Sequence, residues 1–122
     1  MDKVESREDY LEAILQLEKE NERVRSIDVV RKLGFSKPSV SIAMKKLKDQ
    51  GYIIIEEDGS IKLLDEGRKI ALKTLEKHEY LTNLFIKIGV DKEEAEDEAC
   101  KIEHAITDET FEKIKKYLEN CK

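Results

Sequence analysis

The sequence predicts a mainly helical protein in two parts, and three observations predict it. Charged residues make up 42% of the chain and hydrophobic ones 39%, with one Pro, five Gly and no Trp. That balance suits solvated helices better than an all-β fold. Apolar residues recur at helical spacing in several separate segments, and a single short β-rich region interrupts them. A chain of 122 residues makes one compact domain or two very small ones and buries only a modest core, so a second copy is expected to share it.

Residues 5–20 carry Tyr10, Leu11, Ile14, Leu15 and Leu17 at near-helical spacing, with Ser6 and Asp9 as a capping-box-like start. Ser26 is a good N-cap for a short helix from Ile27 to Leu33, closed by Gly34. Ser36 then caps, and Pro38 sits in the first turn of, a helix running to about Gln50, where Gly51 stops it. Two short helices joined at Gly34, the second opening Ser36-Lys37-Pro38-Ser39-Val40-Ser41, form the pattern of a helix-turn-helix. The runs Tyr52–Glu57 and Ser60–Leu64 flank Asp58-Gly59, a strong hairpin-turn dipeptide. A hairpin directly after a recognition helix is a wing, so residues 1–65 read as a winged helix-turn-helix.

The remainder, 66–122, reads as helical. A long amphipathic helix of about 66–88 shows Ile70, Ala71, Leu75, His78, Leu81, Leu84, Phe85 and Ile88 on its apolar side. Gly89 ends it. Asp91 opens a helix of roughly 91–106, acidic on its outside, and Thr107 or Asp108 caps a last one through Phe111, Ile114, Tyr117 and Leu118. Apolar stripes on two sides of these helices suit packing against a second copy.

The net charge of −5 hides an asymmetry. Between Arg23 and Tyr52 stand eight basic residues and two acidic ones, a local +6, which leaves −11 for everything else. A basic segment in an acidic chain is what a phosphate-facing surface on a repelled body looks like. Small hydroxyl residues and Lys near a helix N-terminus suit a major groove, so Ser36, Lys37, Pro38, Ser39 and Ser41, together with Arg25, Lys45 and Lys46, are the candidate DNA contacts. The lysines position the protein on phosphates and carry no sequence preference. An ordinary helical hairpin with a solvated basic face is the competing account, and the wing weighs against it.

No apolar run approaches the roughly 18 residues of a membrane span, and the N-terminus lacks a signal-peptide core, so a cytoplasmic protein with no membrane partner is expected. In that compartment the two cysteines, Cys100 and Cys121, are better read as a ligand or an inert thiol than as a disulfide. Cys121 carries no signal of its own.

Cys100, Glu103 and His104 stand at i, i+3 and i+4 and would share a helix face. Sulfur, carboxylate oxygen and imidazole nitrogen together suit a transition metal and not calcium or magnesium. One helix face cannot close a coordination sphere. Asp9 and Glu12, one turn apart, and His78 are the candidates to complete it. Taken alone, the trio is more simply a solvated face with a buried small Cys.

These pieces in this order resemble the diphtheria toxin repressor and manganese transport regulator family of metal-dependent repressors. The likeness rests on Glu8-Asp9-Tyr10-Leu11-Glu12, Val24-Arg25-Ser26-Ile27-Asp28-Val29-Val30 and Ser36-Lys37-Pro38-Ser39-Val40-Ser41. It continues in Leu64-Asp65-Glu66-Gly67-Arg68-Lys69-Ile70-Ala71, Lys77-His78-Glu79 and Glu98-Ala99-Cys100-Lys101-Ile102-Glu103-His104, so it covers nearly the whole chain. The resemblance implies an N-terminal winged helix followed by a helical metal-binding and dimerisation domain. It also implies a homodimer that binds operator DNA when its divalent metal is bound, and so controls metal-ion homeostasis genes. Carried over residue by residue, Asp9, Glu12, His78, Cys100, Glu103 and His104 fall on the family's ligand positions. Asp9 and Glu12 resemble the manganese branch and Cys100 the iron branch, so Mn2+ and Fe2+ both stand as cofactors, one or two ions per subunit. Thr82 stands where the iron branch has a second-site carboxylate, with Glu96 still able to contribute. With the chain ending at Lys122, the SH3-like third domain of longer members is expected to be absent.

Two rival classes remain. A metalloenzyme ranks well below the repressor, because no separate general base, oxyanion donors or Gly-rich substrate loop accompany the ligands. A winged-helix interaction module with a structural metal site is the main alternative.

Overall fold

The computed structural model describes residues 7–120. The Ser6 start of the first helix and Cys121 lie outside the described residues. Contacts divide the chain into two compact units, Met1–Leu72 and Lys73–Lys122.

The first unit holds α1 (Arg7–Glu20), α2 (Ser26–Leu33), α3 (Lys37–Asp49), β1 (Ile53–Ile55) and β2 (Ile61–Leu63). α1 turns Tyr10, Leu11, Ile14, Leu15 and Leu17 inward, all buried, and packs against α2, α3 and β2. The Tyr10 ring meets Phe35 edge-on at 5.8 Å. α2 starts one residue earlier than its sequence suggested, because its N-cap is Arg25 and not Ser26. The Asp28 carboxylate accepts from the Arg25 backbone N–H at 2.9 Å, and the Asp28 and Val29 N–H groups that a Ser26 cap would have received donate to Arg25 O at 2.9 and 3.3 Å. Gly34, at φ +75°, closes α2, its N–H donating to Val30 O at 2.8 Å.

Ser36 caps α3 as expected, its Oγ accepting from Ser39 N at 3.2 Å, with Pro38 in the first turn. Val40, Met44 and Leu47 form the buried line of α3, and its lysines stay outside. The wing is antiparallel, pairing Ile53 with Leu63, Ile54 with Lys62 and Ile55 with Ile61. Its turn is a three-residue loop rather than a two-residue one. Glu56 and Ser60 still pair at 2.8 Å, Gly59 N–H returns to Glu56 O at 2.9 Å, and Gly59 takes φ +88°. Asp58 Oδ1 accepts from Ser60 N at 2.9 Å and locks the loop. Ile61 N–H donates to Val24 O at 2.7 Å, which ties the wing to the strand-like link before α2.

α4 (Asp65–Lys87) begins in the first unit and continues into the second. Gly67 must be glycine there, since a Cβ would collide with the carbonyl oxygen of Tyr52. The second unit comprises the rest of α4, α5 (Lys92–Ile102) and α6 (Asp108–Asn120). Leu81, Phe111 and Leu118 are buried in it, and the Tyr80 and Phe111 rings meet at 5.8 Å. Ile88, expected on the apolar side of α4, lies past the helix end and is 68% exposed. Along α4 and α6, Lys115 reaches Glu76 at 2.6 Å, Lys73 reaches Glu112 at 3.4 Å, and the Tyr80 hydroxyl donates to Glu119 at 2.9 Å. α5 starts on the expected Asp91 cap, which accepts from Glu93 N at 3.2 Å, but ends at Ile102 and not near 106. The chain turns there, and Thr107 Oγ1 then accepts from Thr110 N at 3.1 Å to cap α6.

Candidate metal centre and nucleic-acid interface

The second unit builds its site at the C-terminal end of α5. Ala95 and Ala99 are fully buried, and Glu103 occupies the next position of the same i, i+4, i+8 line. As C-cap it keeps helical angles (φ −61°, ψ −26°), its N–H bonded to Ala99 O, so its carboxylate continues inward where the alanines lead. It is 1% exposed. Cys100, one residue after Ala99, points instead to solvent, which removes the bland account of a buried small thiol. His104 follows in the turn and is half-buried.

Glu103 draws two imidazoles. His78 of α4 places Nδ1 2.8 Å from Oε1, and His104 places Nε2 3.4 Å from Oε2. If the first bond is made by a neutral His78 ring donating to an ionised Glu103, its Nε2 is left as the lone-pair donor. The second contact is too poorly aligned for a hydrogen bond, and Glu103 Oε2 is buried without one among the described residues. An unsatisfied buried acceptor costs about 1–3 kcal/mol, more when charged. A cation beside this oxygen would satisfy it. Nitrogen and oxygen donors, with a thiol one turn away at Cys100, fit a transition metal.

Asp9 and Glu12 lie one turn apart on α1 in the first unit, both half-buried. Glu12 accepts from Gln16 at 3.4 Å.

Sequence reasoning passed over Lys77. Its side chain is 8% exposed, donates to Ile106 O at 3.3 Å and pairs with Asp108 at 2.9 Å, so it holds the turn that carries His104. The ammonium also holds the Asp108 carboxyl below its usual range, chiefly by that hydrogen bond. The signal was available, because Lys77 falls on the buried line of α4 between Thr74 and Leu81.

In the first unit, Lys37, Pro38, Ser41, Lys45 and Lys46 are exposed on α3, and Arg25 is exposed just before α2. Two of the hydroxyl candidates are engaged locally. Ser36 Oγ donates to Ser39 Oγ at 2.9 Å while accepting from the Ser39 backbone. Arg23 pairs with Asp58 at 3.2 Å and Lys62 with Glu56 at 3.7 Å around the wing.

Two family models match. One is described as the iron dependent repressor N-terminal DNA binding domain, over residues 2–61. The other is described as the iron dependent repressor metal binding and dimerisation domain, over residues 64–122. An uncharacterized HTH-type transcriptional regulator of Methanocaldococcus jannaschii is 36% identical over 120 residues, covering 97% of this chain and 96% of the relative. The diphtheria toxin repressor of Corynebacterium diphtheriae is 30% identical over 98% of this chain and 53% of its own length. A solved manganese-dependent transcriptional repressor in complex with manganese superposes with a TM-score of 0.86 at 28% identity, covering 93% of this chain and 53% of that one. The chain thus spans about half the length of those last two proteins.

Proposed function

The chain belongs to the iron dependent repressor family, and from that premise we propose that it is a metal-dependent DNA-binding transcriptional repressor controlling metal-ion homeostasis genes. It acts as a cytoplasmic homodimer on operator duplex when Mn2+ or Fe2+ is bound. No helix of the described residues is long and apolar enough to cross a membrane. The family's members are repressors, and no enzymatic activity is proposed. We place the boundary between the DNA-binding domain and the metal-binding and dimerisation domain at 65/66.

The observation that carries the reading is the buried Glu103 carboxylate, set between two histidines with one oxygen that accepts no hydrogen bond among the described residues. We assign His78, Cys100, Glu103 and His104 as metal ligands, with Asp9 and Glu12 from the DNA-binding domain. When bound, the ion supplies the positive centre that a buried carboxylate requires. His78 orients Glu103 by their hydrogen bond. Lys77 fixes the turn that presents His104. Cys100 must lose its proton to ligate, so affinity falls as the pH drops. Because the ligands come from both domains, metal affinity and operator affinity are reciprocally linked, typically by about 1–3 kcal/mol.

On the DNA side the first two turns of α3 enter the major groove. Arg25, Lys37, Lys45 and Lys46 meet phosphates, while Ser36, Pro38, Ser39 and Ser41 sit toward the bases. In a two-fold dimer the two α3 helices are to be separated by roughly 34 Å or a multiple of it.

The test is a titration of duplex binding at fixed salt against Mn2+, anaerobic Fe2+, Co2+ and Zn2+, with an EDTA control. A steep rise with Mn2+ or Fe2+, abolished by EDTA, is expected. Replacing Lys37 or Lys45 by Ala should weaken binding and lower the salt slope by about one each. Binding that ignores every metal would favour a winged-helix module whose metal site is structural.

A further inference from the structure

We propose that Ile42 is a specificity-determining residue that reads a thymine methyl group in the operator, an inference that rests on the proposed DNA-binding role of α3. Ile42 is 69% exposed. It lies on α3 opposite the buried line of Val40, Met44 and Leu47, with Pro38, Lys45 and Lys46 as its outward neighbours at helical spacing. A solitary exposed isoleucine is common on protein surfaces. This one stands at the middle of the face where phosphate-seeking charges converge, and nothing in the folding of α3 needs an apolar group there.

The remaining side chains of that face narrow the choice. Ser36 and Ser39 bond to each other and to the cap, at 2.9 and 3.2 Å, so the Ser36 hydroxyl donates and accepts within the cap and Ser39 Oγ is already an acceptor there. The lysines, as point charges, position the protein on phosphates. Ser41 is exposed, but a hydroxyl donates and accepts alike and discriminates poorly between base pairs. Ile42 has no polar atom in its side chain. The one apolar group that a base pair offers in the major groove is the C5 methyl of thymine. A methyl against isoleucine shields apolar surface of both partners. The polar edge of any other base would instead lose water without gaining a hydrogen bond.

The experiment uses the full-length protein, in whichever of Mn2+ or anaerobic Fe2+ supports binding, and a duplex library with a randomised core. Selected duplexes should carry thymine at one fixed position in each half-site. Replacing that thymine by deoxyuridine removes only the methyl and should weaken binding about fourfold. Ile42→Ala should bind the thymine and uracil duplexes equally, with the unfolding midpoint and salt dependence of the parent. Ile42→Val should keep a reduced preference. Wild-type binding indifferent to uracil at every position, or Ile42→Ala retaining the parental thymine-over-uracil ratio, would overturn the assignment. Absence of metal-dependent duplex binding altogether would overturn this assignment and the repressor reading together.

Discussion

α3 and α5 are similar in length, 13 and 11 residues, yet they treat charge in opposite ways. α3 buries Val40, Met44 and Leu47 and leaves every lysine in water. α5 and its cap bury two alanines and then a carboxylate, while Cys100 and most of the acidic residues stay outside. A surface that meets phosphates needs its charges solvated until the partner arrives, and keeping them so costs the fold nothing. A metal site needs a carboxylate withdrawn from water, and that withdrawal costs stability until a cation compensates it. The first helix can therefore be complete without its ligand, whereas the second holds an oxygen without a hydrogen bond.

Substitutions should separate the two regions. Met44→Ala, at a position 1% exposed, should cost about 2–5 kcal/mol in urea unfolding of the DNA-binding half and leave metal affinity as it was. A comparable drop in metal affinity would break the contrast. Glu103→Ala should lower Mn2+ or Fe2+ affinity by at least about 100-fold by calorimetric titration, the upper end for losing even an outer partner of a ligand. An unchanged dissociation constant would remove Glu103 from the site. Ser36→Ala should cost about 1 kcal/mol through the lost α3 cap, visible as a lower thermal midpoint with metal binding intact.

The smallest effect concerns pH. Lys77 lowers the Asp108 carboxyl from its ordinary value of 3.8, first by hydrogen bond and then by charge. A pKa lowered by folding contributes stability that is complete above the unfolded value and is lost as pH falls through the folded one. Parent and Asp108→Asn should therefore differ in urea midpoint at neutral pH and converge as the pH drops below about 3.8. A gap that persists at lower pH would assign the pair no electrostatic role.

Much of the first half was legible because its signals are local. Gly34, the Ser36 cap, Pro38 and the Asp58-Gly59 turn each act within a few residues; the first three work as the spacing suggested, and the turn falls at the expected place with one residue more in its loop. The start of α2 was misplaced by one residue because the Arg25 carbonyl, and not the Ser26 hydroxyl, meets the first N–H donors of the helix. Asp28 reaches back to Arg25, and Ser26 thereby becomes the first helical residue. In the second half, spacing pointed to Cys100, Glu103 and His104 as one face. Glu103 continues the buried line of Ala95 and Ala99, Cys100 falls beside that line in solvent, and His104 follows half-buried in the turn after α5 ends at Ile102.

What the amino-acid order determined by itself is the set of elements, their caps and turns, and the basic segment within an acidic chain, since each depends on neighbours within a turn or two. Tertiary structure alone decided that His78 and Glu103, 25 residues apart, meet at 2.8 Å, and that Lys77 closes on Ile106 and Asp108. Those pairings follow from how helices pack. The periodicity of a helix marks which side turns inward, but not which atoms of a distant helix wait there.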